Sequence, residues 1–321
     1  MEIVENAPLS EISYYKIGGK AKYLLKIQSR DDLQEALAFI SNQGITRILP
    51  LGLGANMLIS DDGFDGAVLW FAKPEKDGME VLHDGRVKVF ASYTLEEVSE
   101  FSFANNFIGL GWTGGLPSTV GAAVRGNVGC FGKAFEDVFE RAEVLEITPS
   151  GVAAKELSKE EMKFGYRTSV VKQNPSMIVA SVILTLHQAS LEQVADEKKE
   201  YEERIAYRNS HHPVEYPSCG SVFKNIIDEQ KVEKILSIWP DILEQVEGKW
   251  HHKVSMGYVI KRLGFSKFTV GGAQVSQKHC NYIINMQNAT FKDVYEIIET
   301  IKGKFYDTFG FYPEEEVQIV P

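Results

Sequence analysis

No run of apolar residues in this chain approaches the ~20 needed to cross a bilayer, so membrane insertion is not expected. Cysteine is scarce. Cys130, Cys219 and Cys280 are the only three, too few and too scattered for a disulfide framework or a zinc site. Three reduced thiols fit a cytoplasmic location. Positive charge is in deficit, with 34 Lys and Arg against 44 Asp and Glu and a formal net charge of -10. A nucleic-acid binder needs a basic face to neutralise phosphates, so that class is not expected. A nucleotide ligand is still possible, because backbone amides and a few placed cations can hold a diphosphate. The first residues, Met-Glu-Ile-Val-Glu-Asn, carry no basic stretch ahead of an apolar run, so no signal peptide is expected.

Three familiar fingerprints are missing too. Gly52-Leu53-Gly54 opens like a dinucleotide-binding G-x-G-x-x-G, but Met57 stands where the third glycine belongs and strand-like residues come next. Ser221 is not followed two residues later by glycine, so it is no hydrolase elbow. His211-His212 and His251-His252 lack the spacing of a helical metal pair, so no metal is expected.

What is present is ordinary in bulk: 44% hydrophobic and 24% charged residues, enough for a sizeable core. A length of 321 residues suits two or three domains. Ser29 and Asp32 open a helix with Leu33, Ala36, Leu37 and Ile40 inward. Strands are expected at 47–51, 57–60 and 66–70. Asp84-Gly85 marks a hairpin between 79–82 and 86–90. Thr94 and Glu97 cap a helix towards Asn105. Further strands are expected at 142–148 and 178–186, then a charged helix at 191–207 whose charges read as a solvated face. Residues 256–264 read as helix, and 268–275 and 282–285 as strands. An amphipathic helix begins at Thr290, and an alternating strand spans 316–320.

Two glycine-rich segments stand out. Leu51-Gly52-Leu53-Gly54-Ala55-Asn56 lies between two strands and offers backbone N–H groups as an anion nest; the alternative is a plain turn. Gly114 to Gly132 carries glycine and small residues too often for a packed helix or strand, which suits backbone brought close to a flat or phosphorylated ligand. The alternative there is an irregular structural loop. Tyr216-Pro-Ser-Cys-Gly-Ser-Val-Phe-Lys-Asn225 places a serine after a glycine on a tight turn.

Read as whole phrases and in order, these segments resemble the UDP-N-acetylenolpyruvoylglucosamine reductase family over nearly the whole chain, in its shorter second type. The strongest phrases are Gly115 to Gly132, the serine decapeptide, and Gly272-Gly-Ala-Gln-Val-Ser-Gln-Lys-His279. The resemblance implies an α+β fold with a two-part FAD-binding region of the vanillyl-alcohol-oxidase type, residues 1–72 and 73–189. A substrate-binding domain, 190–321, would come after it, with an insertion at about 226–255. It implies non-covalent FAD, NADPH as reductant and UDP-N-acetylglucosamine enolpyruvate as substrate, in a monomer or weak oligomer.

The same resemblance implies the site residues, motif by motif. Arg167 would hold the substrate carboxylate, Ser221 would deliver the proton, and Glu316 would stabilise the enol intermediate with Arg167. Leu51 to Asn56, Gly115, Ser118, Thr119, Gly121, Ala122, Asn127, Gly129, Gly132 and Tyr166 would contact FAD. Asn225 and His279 would contact substrate. Departures from the family's pattern are Ala55 for a usual serine, Ser118 and Ala122 for usual glycines, His211-His212 for Lys-Gln, and the insertion. Two rivals differ in class: another FAD oxidoreductase of the same fold, and a sugar-nucleotide-binding regulator that has lost catalysis.

Overall fold

A computed structural model describes residues 1–74 and 78–321. The chain forms two compact units. One comprises Met1–Ala7, Ala21–Leu53 and Phe64–Ser210; the other comprises Pro8–Lys20, Gly54–Gly63 and His211–Pro321. Each has its own apolar core.

Among the described residues the first unit holds a four-stranded sheet, a five-stranded sheet and two small two-stranded ones. In the four-stranded sheet the order is Glu2–Pro8, Lys20–Ile27, Phe64–Phe71, Ile48–Leu51, and Phe64–Phe71 pairs in parallel with the strands on both sides. That central strand is apolar on both faces, as a strand covered on both sides should be. The helix Arg30–Asn42 begins where expected: Ser29 accepts the Asp32 amide at 3.1 Å, and Leu33, Ala36, Leu37 and Ile40 are buried. The five-stranded antiparallel sheet runs Gly151–Ser158, Phe139–Thr148, Met177–Leu184, Val87–Phe90, Met79–Val81. Its outer strand Gly151–Ser158 was not anticipated. Its alanines and charges are weak strand formers, but an edge position with one open side tolerates them.

The stretch 114–132 reads in sequence as too rich in glycine and small residues for a packed helix. It contains a helix, Val120–Gly126, capped by Thr119, with Val120, Ala123 and Val124 fully buried. Here tertiary contact overrides propensity. A Cβ on Gly121 would stand 3.0 Å from the Ala91 Cβ, so the small residue lets the helix close on its neighbouring backbone.

The second unit includes the helices Glu229–Ile238, Leu243–Glu247, Met256–Arg262 and Phe291–Phe309 and a small antiparallel sheet, Thr269–Val270, Ala273–Val275 and Ile283–Asn285. The single strand expected over 268–275 is two strands that reverse at Gly271-Gly272. Gly271 has φ +51°, and a Cβ on Gly272 would meet the Gln287 carbonyl at 2.3 Å. The strand expected over 316–320 forms only at Gln318–Val320, parallel to Met57–Ile59. The final helix, Phe291–Phe309, starts at a reciprocal Thr290–Asp293 capping box and buries Val294, Ile297, Ile298, Ile301, Phe305 and Phe309.

The insertion is built into this core. Ile226 and Val254 exchange backbone hydrogen bonds at 3.1 and 2.9 Å, so the excursion leaves and returns at one point. Val232, Ile235, Ile242 and Val246 are buried, and Trp239 meets Phe309 edge to face at 4.8 Å.

Candidate functional site

In the second unit the serine segment is held from two sides. Gly220 adopts φ +75°, a conformation that suits glycine, and turns the chain into Ser221. Asn281, buried, clamps Val222 and Phe223: its Oδ1 accepts the Phe223 amide at 3.0 Å, its Nδ2 donates to the Phe223 carbonyl at 2.8 Å, and its carbonyl accepts the Val222 amide at 2.8 Å. On the other side, the Val222 carbonyl accepts the Glu316 amide at 2.8 Å and the Val317 amide at 3.2 Å, and the Lys224 amide donates to the Glu314 carbonyl at 2.9 Å. The structure thus brings Ser221 and Glu316 onto adjacent backbone. Ser221 is half-buried, and among the described residues its hydroxyl makes no hydrogen bond.

Beneath the serine lies a buried pair that sequence reasoning missed. Tyr15, fully buried, donates from its hydroxyl to the Ile283 carbonyl at 2.8 Å and lies against the Cys219 thiol. Burial pushes Cys219 up to about 12, so this sulfur is a protonated packing group beside the serine, not a nucleophile.

The first glycine loop reaches the same place. Asn56 Nδ2 donates to the Glu316 carbonyl at 3.1 Å, and the Gln318 amide donates to the Asn56 carbonyl at 3.0 Å. A Cβ on Gly220 would stand 3.6 Å from the Ala55 carbonyl oxygen. Among the described residues the amides of Gly54, Ala55 and Asn56 donate to no protein acceptor. Three consecutive undonated amides in a loop with no bulky side chain fit an anionic diphosphate.

The three tail glutamates differ. Glu314 faces Lys224 at 3.3 Å and Lys231 at 3.6 Å. Glu315 pairs with Lys302 at 2.7 Å. Glu316 alone lies where the loop and serine segments meet. Asn225 spends its Oδ1 on the Met256 amide at 3.1 Å. His279 is half-buried beside His212 and Tyr282, with ring centroids at 5.3 and 4.9 Å, and its Nδ1 accepts the Asn281 amide at 3.3 Å. Burial pulls its pKa below the usual histidine value.

In the first unit Arg167 occupies a tight turn closed by reciprocal Gly165–Thr168 hydrogen bonds of 3.2 Å. Its φ of +59° is a left-handed conformation that costs energy for an arginine. Its Nη2 donates to the Gly129 carbonyl at 2.8 Å and its guanidinium lies 5.3 Å from the Tyr166 ring centroid. So Tyr166, Arg167 and Gly129 are brought together. Asn127, buried, commits its Nδ2 to Glu136 at 2.9 Å and the Gly165 carbonyl at 3.1 Å. Gly52 and Thr119 also meet, since a Cβ on Gly52 would lie 2.5 Å from Thr119 Oγ1. Ser118 turns its hydroxyl to the Thr119 carbonyl at 3.0 Å, and the Ala122 amide reaches Thr119 Oγ1 at 3.4 Å.

The charged helix, Leu191–His211, is not merely a solvated face. Glu197 Oε1 accepts the amides of Gly109, Leu110 and Gly111 at 2.6, 2.7 and 2.7 Å. Gly114 lets the helix close in, because a Cβ there would stand 2.2 Å from the Tyr201 carbonyl, and Gly115, φ +68°, faces Arg208.

Residues 21–153 match the model of an FAD binding domain, and residues 212–320 match the C-terminal domain of UDP-N-acetylenolpyruvoylglucosamine reductase. The enzyme of that name from Chlamydia muridarum is 33% identical over 99% of this chain and 95% of its own length. That from Synechococcus sp. (strain JA-3-3Ab) is 30% identical over 98% and 89%. The crystal structure of UDP-N-acetylenolpyruvylglucosamine reductase from Thermus caldophilus superposes with a TM-score of 0.72 at 25% identity, covering 100% of this chain and 98% of that one.

Proposed function

The chain belongs to the UDP-N-acetylenolpyruvoylglucosamine reductase family, and from that premise we propose how its own residues divide the chemistry. The reaction is the NADPH-dependent reduction of UDP-N-acetylglucosamine enolpyruvate to UDP-N-acetylmuramate, in peptidoglycan precursor synthesis. FAD, when bound, supplies the hydride relay from NADPH to the enolpyruvyl double bond. The undonated amides of Gly54 to Asn56 are suited to hold its diphosphate, and Tyr166 would pack beside it.

Hydride addition at one end of the double bond leaves negative charge on the neighbouring carbon and its carboxylate. Arg167 would meet that carboxylate with its planar fork, and its costly φ is the kind of strain kept where a group must be aimed. Ser221 would donate its hydroxyl proton to the carbanionic carbon. A hydroxyl is a weak acid, but the acceptor is a strong base, and among the described residues no acceptor competes for the proton. Glu316 would stabilise the enol form. Asn225 would offer substrate its Nδ2, since its Oδ1 is committed. His279 would act as a neutral polar contact. Asn127 would serve through backbone shape, since its side chain is spent on Glu136 and Gly165.

The observation that supports this assignment is the Glu316–Val222 hydrogen bond, which holds the segment of Ser221 and that of Glu316 on one frame together with Asn56. We further infer that residues 1–72 and 73–189 handle FAD and 190–321 the substrate. The matched family segments support that order. We also infer a cytoplasmic monomer or weak oligomer; the net charge of -10 speaks against nucleic-acid binding, and among the described residues no helix is long and apolar enough to cross a membrane. The test is spectroscopic. Purified protein should be yellow, bleach on anaerobic NADPH addition, and recover its colour on adding the enolpyruvyl substrate. Protein that is colourless and takes up no added FAD overturns the reading.

A further inference from the structure

Three arginines converge on three consecutive residues of the second glycine segment. Arg167 Nη2 donates to the Gly129 carbonyl at 2.8 Å, Arg208 Nη2 to Cys130 Sγ at 3.0 Å, and the Arg204 guanidinium lies 4.3 Å from the Phe131 ring centroid. Arg208 is only 7% exposed, yet its acceptors are the Gly114 carbonyl, at 2.9 Å, and that sulfur. Among the described residues no carboxylate pairs with it. The nearby acids on its own helix are committed elsewhere, Glu197 to three backbone amides and Glu200 to Arg204 at 3.1 Å. Arg204 Nε is itself buried and lacks an acceptor. A buried guanidinium without a counter-ion is costly, and a chain with an excess of acids had carboxylates available to neutralise it. The cluster is also reachable, because Phe131 at its rim is exposed.

We propose that Arg208, with Arg204, forms a cradle at Cys130–Phe131, beside Arg167, that binds an oxyanion of a nucleotide ligand. The proposal rests on the reductase reading for the identity of that nucleotide, which supplies the oxyanion either from NADPH or from the sugar-nucleotide substrate. Fork-shaped guanidiniums suit phosphate or carboxylate oxygens and bind them more strongly than a neutral donor would. Arg208 is then a specificity residue outside the set of site residues that the sequence implied.

Cys130 is a built-in reporter, since its thiol touches Arg208 and is half-buried, whereas Cys219 and Cys280 are buried and serve as internal controls. The experiment measures alkylation of Cys130 by iodoacetamide, read by peptide mass spectrometry, in the protein as purified. Inorganic phosphate, NADP+, NAD+ and UDP-N-acetylglucosamine are the probes, with chloride at matched ionic strength as control. The expected result is that phosphate and at least one nucleotide slow Cys130 alkylation several-fold beyond chloride. Protection by NADP+ well above NAD+ assigns the oxyanion to the 2′-phosphate; strong protection by the UDP-sugar with NADP+ and NAD+ alike assigns it to a diphosphate. Arg208→Met should abolish the protection ratio and Arg208→Lys should keep part of it, which preserves the test if the methionine variant misfolds. Ratios are compared because removing the arginine also changes the thiol's own reactivity. Equal alkylation with and without anions, or full protection in Arg208→Met, overturns the proposal. The readout needs no turnover, so failure of the reductase reading, seen as no NADPH bleaching, is separable from failure of the cradle.

Discussion

The amide of Glu316 donates to the carbonyl of Val222 at 2.8 Å, so the glutamate near the end of the chain is fixed one residue from Ser221. This geometry gives a sharp expectation for the serine. Its proposed role comes after flavin reduction, so Ser221→Ala should leave bleaching by NADPH near normal. Recolouring by the enolpyruvyl substrate should slow by ~10²–10⁴-fold, the usual loss of a general acid. Stopped-flow absorbance separates the two half-reactions. Equal slowing of both would make Ser221 a structural residue.

The acidic tail offers a second test, with three glutamates in three settings. Glu316→Gln should slow recolouring by ~10²–10³-fold, as loss of one preorganised electrostatic group does. Glu315→Gln should leave that rate intact but cost stability, because it removes a 2.7 Å partner of Lys302. The loss should be only ~0.5–1 kcal/mol, since both side chains are partly exposed and solvent screens the pair. Burial lowers the Lys302 pKa, but Glu299 and Glu315 outweigh it and hold the ammonium above its usual value. A raised folded-state pKa stabilises fully below the unfolded value of ~10.4 and is lost as pH rises through the folded one. The variant's deficit should therefore shrink in strongly alkaline denaturation curves. A recolouring loss as large in Glu315→Gln as in Glu316→Gln would refute the distinction.

Tyr15→Phe probes the buried pair under the serine. The substitution keeps the ring but leaves the Ile283 carbonyl without its donor, a loss of ~1–3 kcal/mol. The urea midpoint should fall at an unchanged m-value. An unshifted midpoint would mean that the hydroxyl contributes nothing to the frame.

Helix starts were legible because they are local. Ser29, Thr94 and Thr290 each cap within three residues, and the last two also receive the reciprocal carboxylate bond. The serine segment was legible as a phrase, without its geometry. The helix Val120–Gly126 was hidden because its glycine signals loop until the Ala91 backbone closes on it. Arg208, Asn281 and Tyr15 were hidden by distance: their partners lie 94, 58 and 268 residues away, and no periodicity reports such pairs. Asn281, a lone amide between Cys280 and Tyr282, carried the one available hint: a polar group among mostly apolar neighbours is usually there to make hydrogen bonds.

His279 sets the last expectation, for pH. Burial lowers its pKa, and its Nδ1 accepts the Asn281 amide at 3.3 Å, a bond only the neutral ring with its proton on Nε2 can accept. The unfolded chain therefore takes up a proton near pH ~6.5 that the folded chain refuses. Since stability rises with pH wherever the unfolded state binds more protons, the histidine's contribution is complete above ~6.5 and is lost as pH falls towards its folded value. The slope from this one group cannot exceed ~1.4 kcal/mol per pH unit. Urea midpoints measured between about pH 5 and 7 should rise with pH in the parent protein, above the range where carboxylates titrate. In His279→Gln, which keeps a polar side chain at a similar reach, that rise should flatten. A parallel pair of pH profiles would show that another group, not His279, carries the acid sensitivity.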